Sequence, residues 1–255
     1  MRIARLVLTA AFVGMAFGLP APAMAAGGAE VVTRHWSFQG VFGSFDRAAA
    51  QRGFQVYNEI CAACHSLKLV AYRDLSGLDF TEDQIKEIAA AKQVKDGPNK
   101  DGDMFERAGR PSDRFVSPFA NDNAARAANN GAMPPDLSLI VKARIGGPDY
   151  LYSLVTGYDD PPATMQMMPG MNYNKMFAGQ QIAMAPPLAA GQVTYADGTE
   201  ATLDRMAQDV VTFLAWTAEP ELEERKRVGL KVILFLIVLT ALLYAVKRKV
   251  WKNIH

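Results

Sequence analysis

The stretch GFQVYNEICAACHSL, residues 53–67, decides how this chain is read, and Cys61-Ala62-Ala63-Cys64-His65 within it decides what it holds. Two cysteines three apart, followed directly by histidine, form the c-type haem attachment pattern. The spacing has a physical cause. Two thiols on one turn reach the two vinyl groups of a haem, and the adjacent imidazole is presented to the iron. Three rival readings lack what they need. A thioredoxin-like C-x-x-C opens a helix after a strand, whereas Phe54, Tyr57 and Ile60, in helical spacing, precede this one. A zinc site needs a second ligand pair, and these two are the chain's only cysteines. A disulfide across so short a loop is strained and makes no use of His65.

Upstream, the chain begins like an exported one. Arg2 and Arg5 give a charged start, Leu6 to Leu19 an apolar stretch, and Ala23-Met24-Ala25 a small-x-small cleavage site, so residues 1–25 are expected to be a cleaved signal peptide. Export leads to an oxidising compartment, where disulfides are common, yet both cysteines are committed to the motif. Downstream, Val228 to Val246 carries Lys231 as its only charge. As a helix it spans roughly 28 Å, close to the hydrocarbon core of a bilayer, and Lys231, within a turn of the end, can snorkel to the headgroups. Arg225, Lys226 and Arg227 on one side balance Lys247, Arg248, Lys249 and Lys252 on the other, so flanking charge alone does not orient the span. The export signal does. It predicts residues 26–227 as an external domain, 228–246 as the transmembrane anchor and 247–255 as a cytoplasmic tail.

The formal net charge of +1 conceals a sorted distribution. All 26 acidic residues lie between Glu30 and Glu224, where only 17 of the 27 basic residues accompany them, a balance of −9. Such a domain favours cationic partners and argues against nucleic acid. Helical signals dominate it. Helices are expected over Phe45–Ile60, from the capping box Thr81-Glu82-Asp83-Gln84 toward Lys92, over Pro135–Ala143, and over Pro148–Val155, where Pro148 suits a first turn. A last one is expected over Thr202–Thr217, with Leu203, Met206, Val210, Phe213 and Leu214 on one face. Gly97 to Gly131 reads as a long polar loop of little regular structure, and Asn172 to Gly198 as Gly, Pro and Met without period. Long loops in an ordered domain commonly wrap something. The fold class is therefore mainly α, a cytochrome c-like haem domain with long loops plus one C-terminal transmembrane helix.

A filled sixth iron position restricts the metal to electron exchange, whereas an open one admits ligands and peroxide chemistry. His35 and His255 are the other imidazoles, and His255 lies beyond the anchor. Met104, Met133, Met165, Met167, Met168, Met171, Met176, Met184 and Met206 follow the motif, and a lone Met is ordinarily packing. Met184, ahead of Pro186-Pro187, and Met168, ahead of Pro169, sit where a stiff backbone can aim a sulfur. Spacing does not choose between them.

Beyond the motif, AARAANNGAMPPDLSLI (124–140), ARIGGPDYLYSLVTGYDDPP (143–162), QIAMAPPL (181–188) and DVVTFLAWTAEPE (209–221), followed by the basic-flanked anchor, resemble the cytochrome c1 family of bacterial type. The likeness runs from about Trp36 to Trp251. The resemblance implies one covalently attached haem c on Cys61 and Cys64, with His65 and Met184 as axial iron ligands and Arg144 and Tyr150 near the propionates. It implies that Pro134-Pro135-Asp136-Leu137 packs along the haem, and that Gly53 and Phe54 meet the helix bearing Phe213. It also implies a subunit of ubiquinol–cytochrome c reductase, an enzyme of redox-coupled proton translocation in a respiratory or photosynthetic chain. In that setting the chain is an electron carrier, contributes no catalytic residue, and takes electrons from a Rieske iron–sulfur protein for a soluble or anchored cytochrome c. The other implied partners are a cytochrome b subunit and membrane lipid. The complex is expected to be dimeric and to sit in a bacterial inner membrane, single-pass, with the haem domain periplasmic. Some bacterial relatives tie down the methionine-bearing region with an extra cysteine pair. This chain has none, so packing and the prolines must hold Met184. A gas-binding or enzymatic haem protein with an open sixth site, and a generic anchored cytochrome c of another oxidase chain, are the rival functions.

Overall fold

Asp46, Thr81, Asn121 and Thr202 each stand where a helix begins, and each side chain accepts a backbone N–H from the turn that follows. These caps punctuate a computed structural model that describes residues 31–253. The expected signal peptide, Arg2, Arg5 and His255 lie outside the described residues. Helix α1 is Arg47–Glu59, running into a 3₁₀ turn at Cys61–Ala63, and a second 3₁₀ segment covers Tyr72–Leu78. Then come α2 (Glu82–Ala90), strands β1 (Gln93–Asp96) and β2 (Phe105–Ala108), α3 (Asp122–Ala128) and α4 (Gly147–Thr156). Strands β3 (Asn172–Tyr173) and β4 (Gln181–Ile182) precede α5 (Leu203–Ala218) and α6 (Leu222–Val250). The domain is mainly helical with long loops, as the sequence predicts.

Three expectations need correction. Pro135–Ala143 is a run of turns rather than a helix, closed by bonds such as Ile140 N–H to Leu137 O. Asp136 gives the reason: its carboxylate takes the N–H of Ser138 and of Lys68, an arrangement that competes with helix formation. The polar segment after Gly97 is also less irregular than its composition suggests. It holds β2, paired antiparallel with β1, and the two-turn helix α3. Arg107 fastens the hairpin to the next turn, with Nη1 and Nη2 at 2.6 and 2.9 Å from the Asp113 carboxylate. Finally, Leu203 is exposed at the first position of α5, while Met206, Val210, Phe213 and Leu214 are buried as expected.

The core is the crossing of α1 and α5. A Cβ on Gly53 would lie 1.9 Å from the carbonyl oxygen of Asp209 and 2.8 Å from Phe213 Cβ, so only glycine lets the two backbones meet. Around this point Phe54 packs edge-on to Phe213, Phe80 and Phe115, and Tyr57 leans on Phe213. Arg52, one residue before the contact, donates from Nε and Nη2 to the Asp209 carboxylate at 2.8 and 3.0 Å. Burial drives that carboxyl above its ordinary range, and the guanidinium opposes the shift.

Helix α5 gives way to α6 after Glu219-Pro220-Glu221. Among the described residues α6 is the one helix long and apolar enough to cross a membrane. Its 29 residues contain the expected Val228–Val246 span, and at 1.5 Å per residue extend roughly 44 Å. Apolar side chains stand exposed along it, from Val228 to Val250.

Replacing Arg52 by Leu leaves the Asp209 carboxylate, 1% exposed, without its counter-charge. The expected cost is about 3–5 kcal/mol, read as a fall in the thermal unfolding temperature of the haem-loaded chain. The double substitution Arg52→Leu/Asp209→Leu should recover most of it.

Candidate haem site

Helix α1 ends at Glu59, and the chain tightens at once. The amides of Cys64 and His65 both bond to Cys61 O, at 3.1 and 2.8 Å. This turn sets the two thiols on one short stretch of backbone, and they are not joined to each other. Burial, aided by the neighbouring Cys64, pushes the Cys61 thiol up to about 12, so the site favours an uncharged sulfur. A thioether is such a sulfur.

His65 is oriented from outside the motif. Its Nδ1 lies 2.8 Å from Pro135 O. A carbonyl only accepts, so Nδ1 carries the proton and Nε2 is left with the free lone pair that a metal takes. Burial lowers the imidazole's pKa, outweighing the Pro135 carbonyl and the Asp136 charge, both of which raise it. A neutral ring is the ligating form. The Tyr57 hydroxyl donates to His65 O at 3.0 Å, tying the ligand residue to α1.

Asp136 binds the 134–138 segment to the motif. Its carboxylate accepts from Ser66 Oγ at 2.7 Å, Lys68 N at 2.8 Å and Ser138 N at 2.9 Å, while Leu137 N donates to Ser66 O. Burial opposes its charge, but these donors, Ser138 foremost, hold the carboxyl below its usual range. The Pro-Pro-Asp-Leu segment therefore clasps the residues after His65.

The Met184 segment is held by different means. The Tyr158 hydroxyl donates to Met184 O at 3.0 Å, and Asn172 Nδ2 approaches the same oxygen at 3.4 Å. Tyr158 follows α4 and bridges to Asn174, and Asn174, fully buried, donates from Nδ2 to Leu154 O within α4 at 2.7 Å. The short β3–β4 pairing, with Asn172 opposite Ile182, closes the unit two residues before Met184. Both backbone ties go to the Met184 carbonyl, and the side chain is half-buried. Met168 is 54% exposed and His35 is exposed. A cavity of about 500 Å³, lined by Tyr158, Met171, Asn172, Tyr173 and Pro186 among others, borders the segment.

Arg144 is exposed, its Nη1 donating to Ala143 O at 3.2 Å. Tyr150 is half-buried against the core. The left-handed turn at Gly146 and Gly147, with φ of 85° and 51°, separates the two and starts α4. Sequence reasoning missed Tyr158, Asn172 and Asn174, whose contacts are long-range and leave no local pattern. Asp136-Leu137-Ser138 does carry a local signal, because Asp two residues before Ser commonly bonds its own backbone.

Two unpaired thiols on one turn, a neutral histidine held through Nδ1, and a half-buried thioether on a doubly tied loop are a donor set that fits a haem c. The comparisons agree with it. The Cytochrome C1 family matches residues 36–254. Cytochrome c1 of Rhodospirillum rubrum is 51% identical over 99% of this chain and 98% of its own length. The mitochondrial cytochrome c1 heme protein of Schizosaccharomyces pombe is 46% identical over 97% of this chain and 82% of its own. A protein named cytochrome b/c1 from Bradyrhizobium diazoefficiens is 48% identical over 86% of this chain, which covers 35% of it. Sequence, fold and donor set converge: this chain belongs to the cytochrome c1 family of electron-transport haem proteins.

Proposed function

We propose that this chain relays single electrons from a Rieske iron–sulfur protein to a soluble or anchored cytochrome c, as the haem c subunit of a dimeric ubiquinol–cytochrome c reductase. The observation that carries the reading is the Cys61–His65 turn, with His65 fixed by Pro135 as the neutral Nδ1–H tautomer. Cys61 and Cys64 would hold the haem through thioethers, His65 and Met184 would ligate its iron, and Arg144 and Tyr150 would meet the propionates. A haem c bound there supplies a one-electron iron couple. The protein's part would be to keep both iron donors, His65 and Met184, in place, so that the metal exchanges electrons and not substrate. Asp136 and Pro135 do this for His65, and Tyr158 and Asn172 for the Met184 loop.

The name of the Bradyrhizobium protein joins cytochrome b to c1 in one chain, which supports cytochrome b as the neighbouring subunit here. Residues 1–25 are read as the cleaved signal, 26–227 as the periplasmic haem domain, 228–246 as the span through a bacterial inner membrane and 247–255 as the cytoplasmic tail. Supporting this are the apolar exposed face of α6 and the basic residues at both its ends. In that setting the chain serves the proton-translocating reductase as its carrier subunit.

Met184→Leu should lower the midpoint potential by roughly 0.1–0.3 V, a fraction of the range of about 0.8 V that axial ligands span. It should also let carbon monoxide bind the reduced protein, seen in the optical spectrum. An unchanged potential would transfer the ligand role to Met168 or His35, and rapid full CO binding by the unaltered protein would defeat the relay reading. Tyr158→Phe removes one tie to the methionine loop, worth about 1 kcal/mol. The expected result is a small fraction of CO-reactive protein at 25 °C that grows on warming, with the haem still attached. The acidic balance of −9 between Glu30 and Glu224 predicts that turnover with a cationic cytochrome c falls as ionic strength rises past about 0.1 M. A flat salt profile would rule out electrostatic docking of the acceptor.

A further inference from the structure

Trp36 to Phe45 reads WSFQGVFGSF, ten residues with four aromatics and no charge. The fold divides them sharply. Trp36, Phe38 and Phe45 are buried, with ring centroids 5.7 Å apart for the first pair and 5.1 Å for the second, and they root the loop in the core. At the tip, beyond the tight turn that Gly40 permits at φ 74°, Val41 is 68% exposed and Phe42 is 84% exposed.

The base of this loop is fastened to the start of α6. Lys226 Nζ donates to Phe38 O at 2.8 Å and to Gly43 O at 2.9 Å, closing the loop immediately on either side of its tip. Phe45 N donates to the Glu223 carboxylate at 2.8 Å, and Arg47 pairs with the same group at 2.9 Å. Lys226 lies two residues before Val228, a rise of about 3 Å along the helix. The backbone on both sides of the two exposed apolar side chains is thus held to α6 within a turn of where it changes from charged to apolar.

On the reading that α6 spans the bilayer, we propose that Val41 and Phe42 insert into the headgroup–acyl boundary of the leaflet from which α6 emerges, giving the domain a second contact with phospholipid. Three features select lipid as the occupant. An aromatic beside an aliphatic residue on an uncharged loop suits the membrane interface, where aromatic rings concentrate. Arg225 and Arg227, paired with Glu219 and Glu224 yet with side chains 61% and 67% exposed, stand on the same turn of α6 as Lys226 and put basic groups where lipid phosphates would lie. The loop is also continuous, through Lys226 and Glu223, with the helix that enters the membrane. The charged clamp holds the loop's backbone, and the apolar tip is left free to partition.

The test places the photoreactive residue p-benzoylphenylalanine at position 42 of the full-length haem-loaded chain, and in a separate protein at position 236, within the apolar run. Both are irradiated in phospholipid nanodiscs and in the assembled complex in native membranes, and an unchanged haem spectrum confirms the fold. Phospholipid adducts at position 42, in yield comparable with position 236, are the expected result. Adducts at 236 with none at 42 would overturn the loop insertion while leaving the anchor intact. A crosslink from 42 to another polypeptide in the complex would overturn it in favour of a protein contact. Absence of lipid adducts at both positions would remove the anchor reading itself. As a second measurement, brominated lipids should quench the added fluorescence of Phe42→Trp relative to the parent chain, and unquenched emission would count against insertion.

Discussion

Backbone meets backbone where α1 crosses α5, and most of what this protein does depends on that contact. Any side chain at Gly53 would strike the Asp209 carbonyl. The neighbouring residue, Arg52, grips the Asp209 side chain, so one residue of α5 is engaged at both its main chain and its carboxylate. Only Ile60 separates the end of α1 from the cysteine turn. The position of Cys61, Cys64 and His65 relative to the core therefore follows from how closely two helices approach eight to twelve residues earlier. Close-packed interiors transmit small displacements. A shift at the crossing would be felt at the thiols.

The two residues proposed to ligate the iron, His65 and Met184, are supported unequally. His65 belongs to a dense polar network in which Pro135 fixes the ring and Asp136, charged and multiply bonded, fixes the segment around it. Charge-assisted bonds of that kind are the stronger class. Met184 depends on neutral bonds to its own carbonyl, from Tyr158 and Asn172, and on a two-residue strand pair. A tyrosine and an asparagine from elsewhere in the chain thus hold the segment without any covalent tie between side chains. The histidine side thus has the denser and more strongly bonded support, and the methionine side the sparser one.

The sequence carried the helices because their signals are local. The capping box at Thr81 and the apolar spacing of Met206, Val210 and Phe213 each lie within a few turns of chain, and the structure bears them out. Gly53 was legible only through the family resemblance, since a glycine inside a helix has no intrinsic reason to be there. Pro135–Ala143 misled because its apolar residues are in helical order while its one carboxylate is spent on the turn. The polar stretch after Gly97 misled in the opposite sense: its order comes from Arg107 and Asp113, an ion pair that composition does not reveal. The cysteine–histidine motif was explicit. The ties on Met184 were not, because Tyr158 stands 26 positions away from it.

Between the last helix of the domain and the long apolar one lie three residues, and they are not slack. Glu219 takes Lys142 at 2.9 Å and Arg225 at 2.8 Å, binding the joint from both directions, and Pro220 stiffens its middle. A tether of that length has no room to swing or pay out. On the proposed reading that α6 spans the bilayer, this joint would set the height of the cysteine turn above the lipid, leaving no linker to vary it.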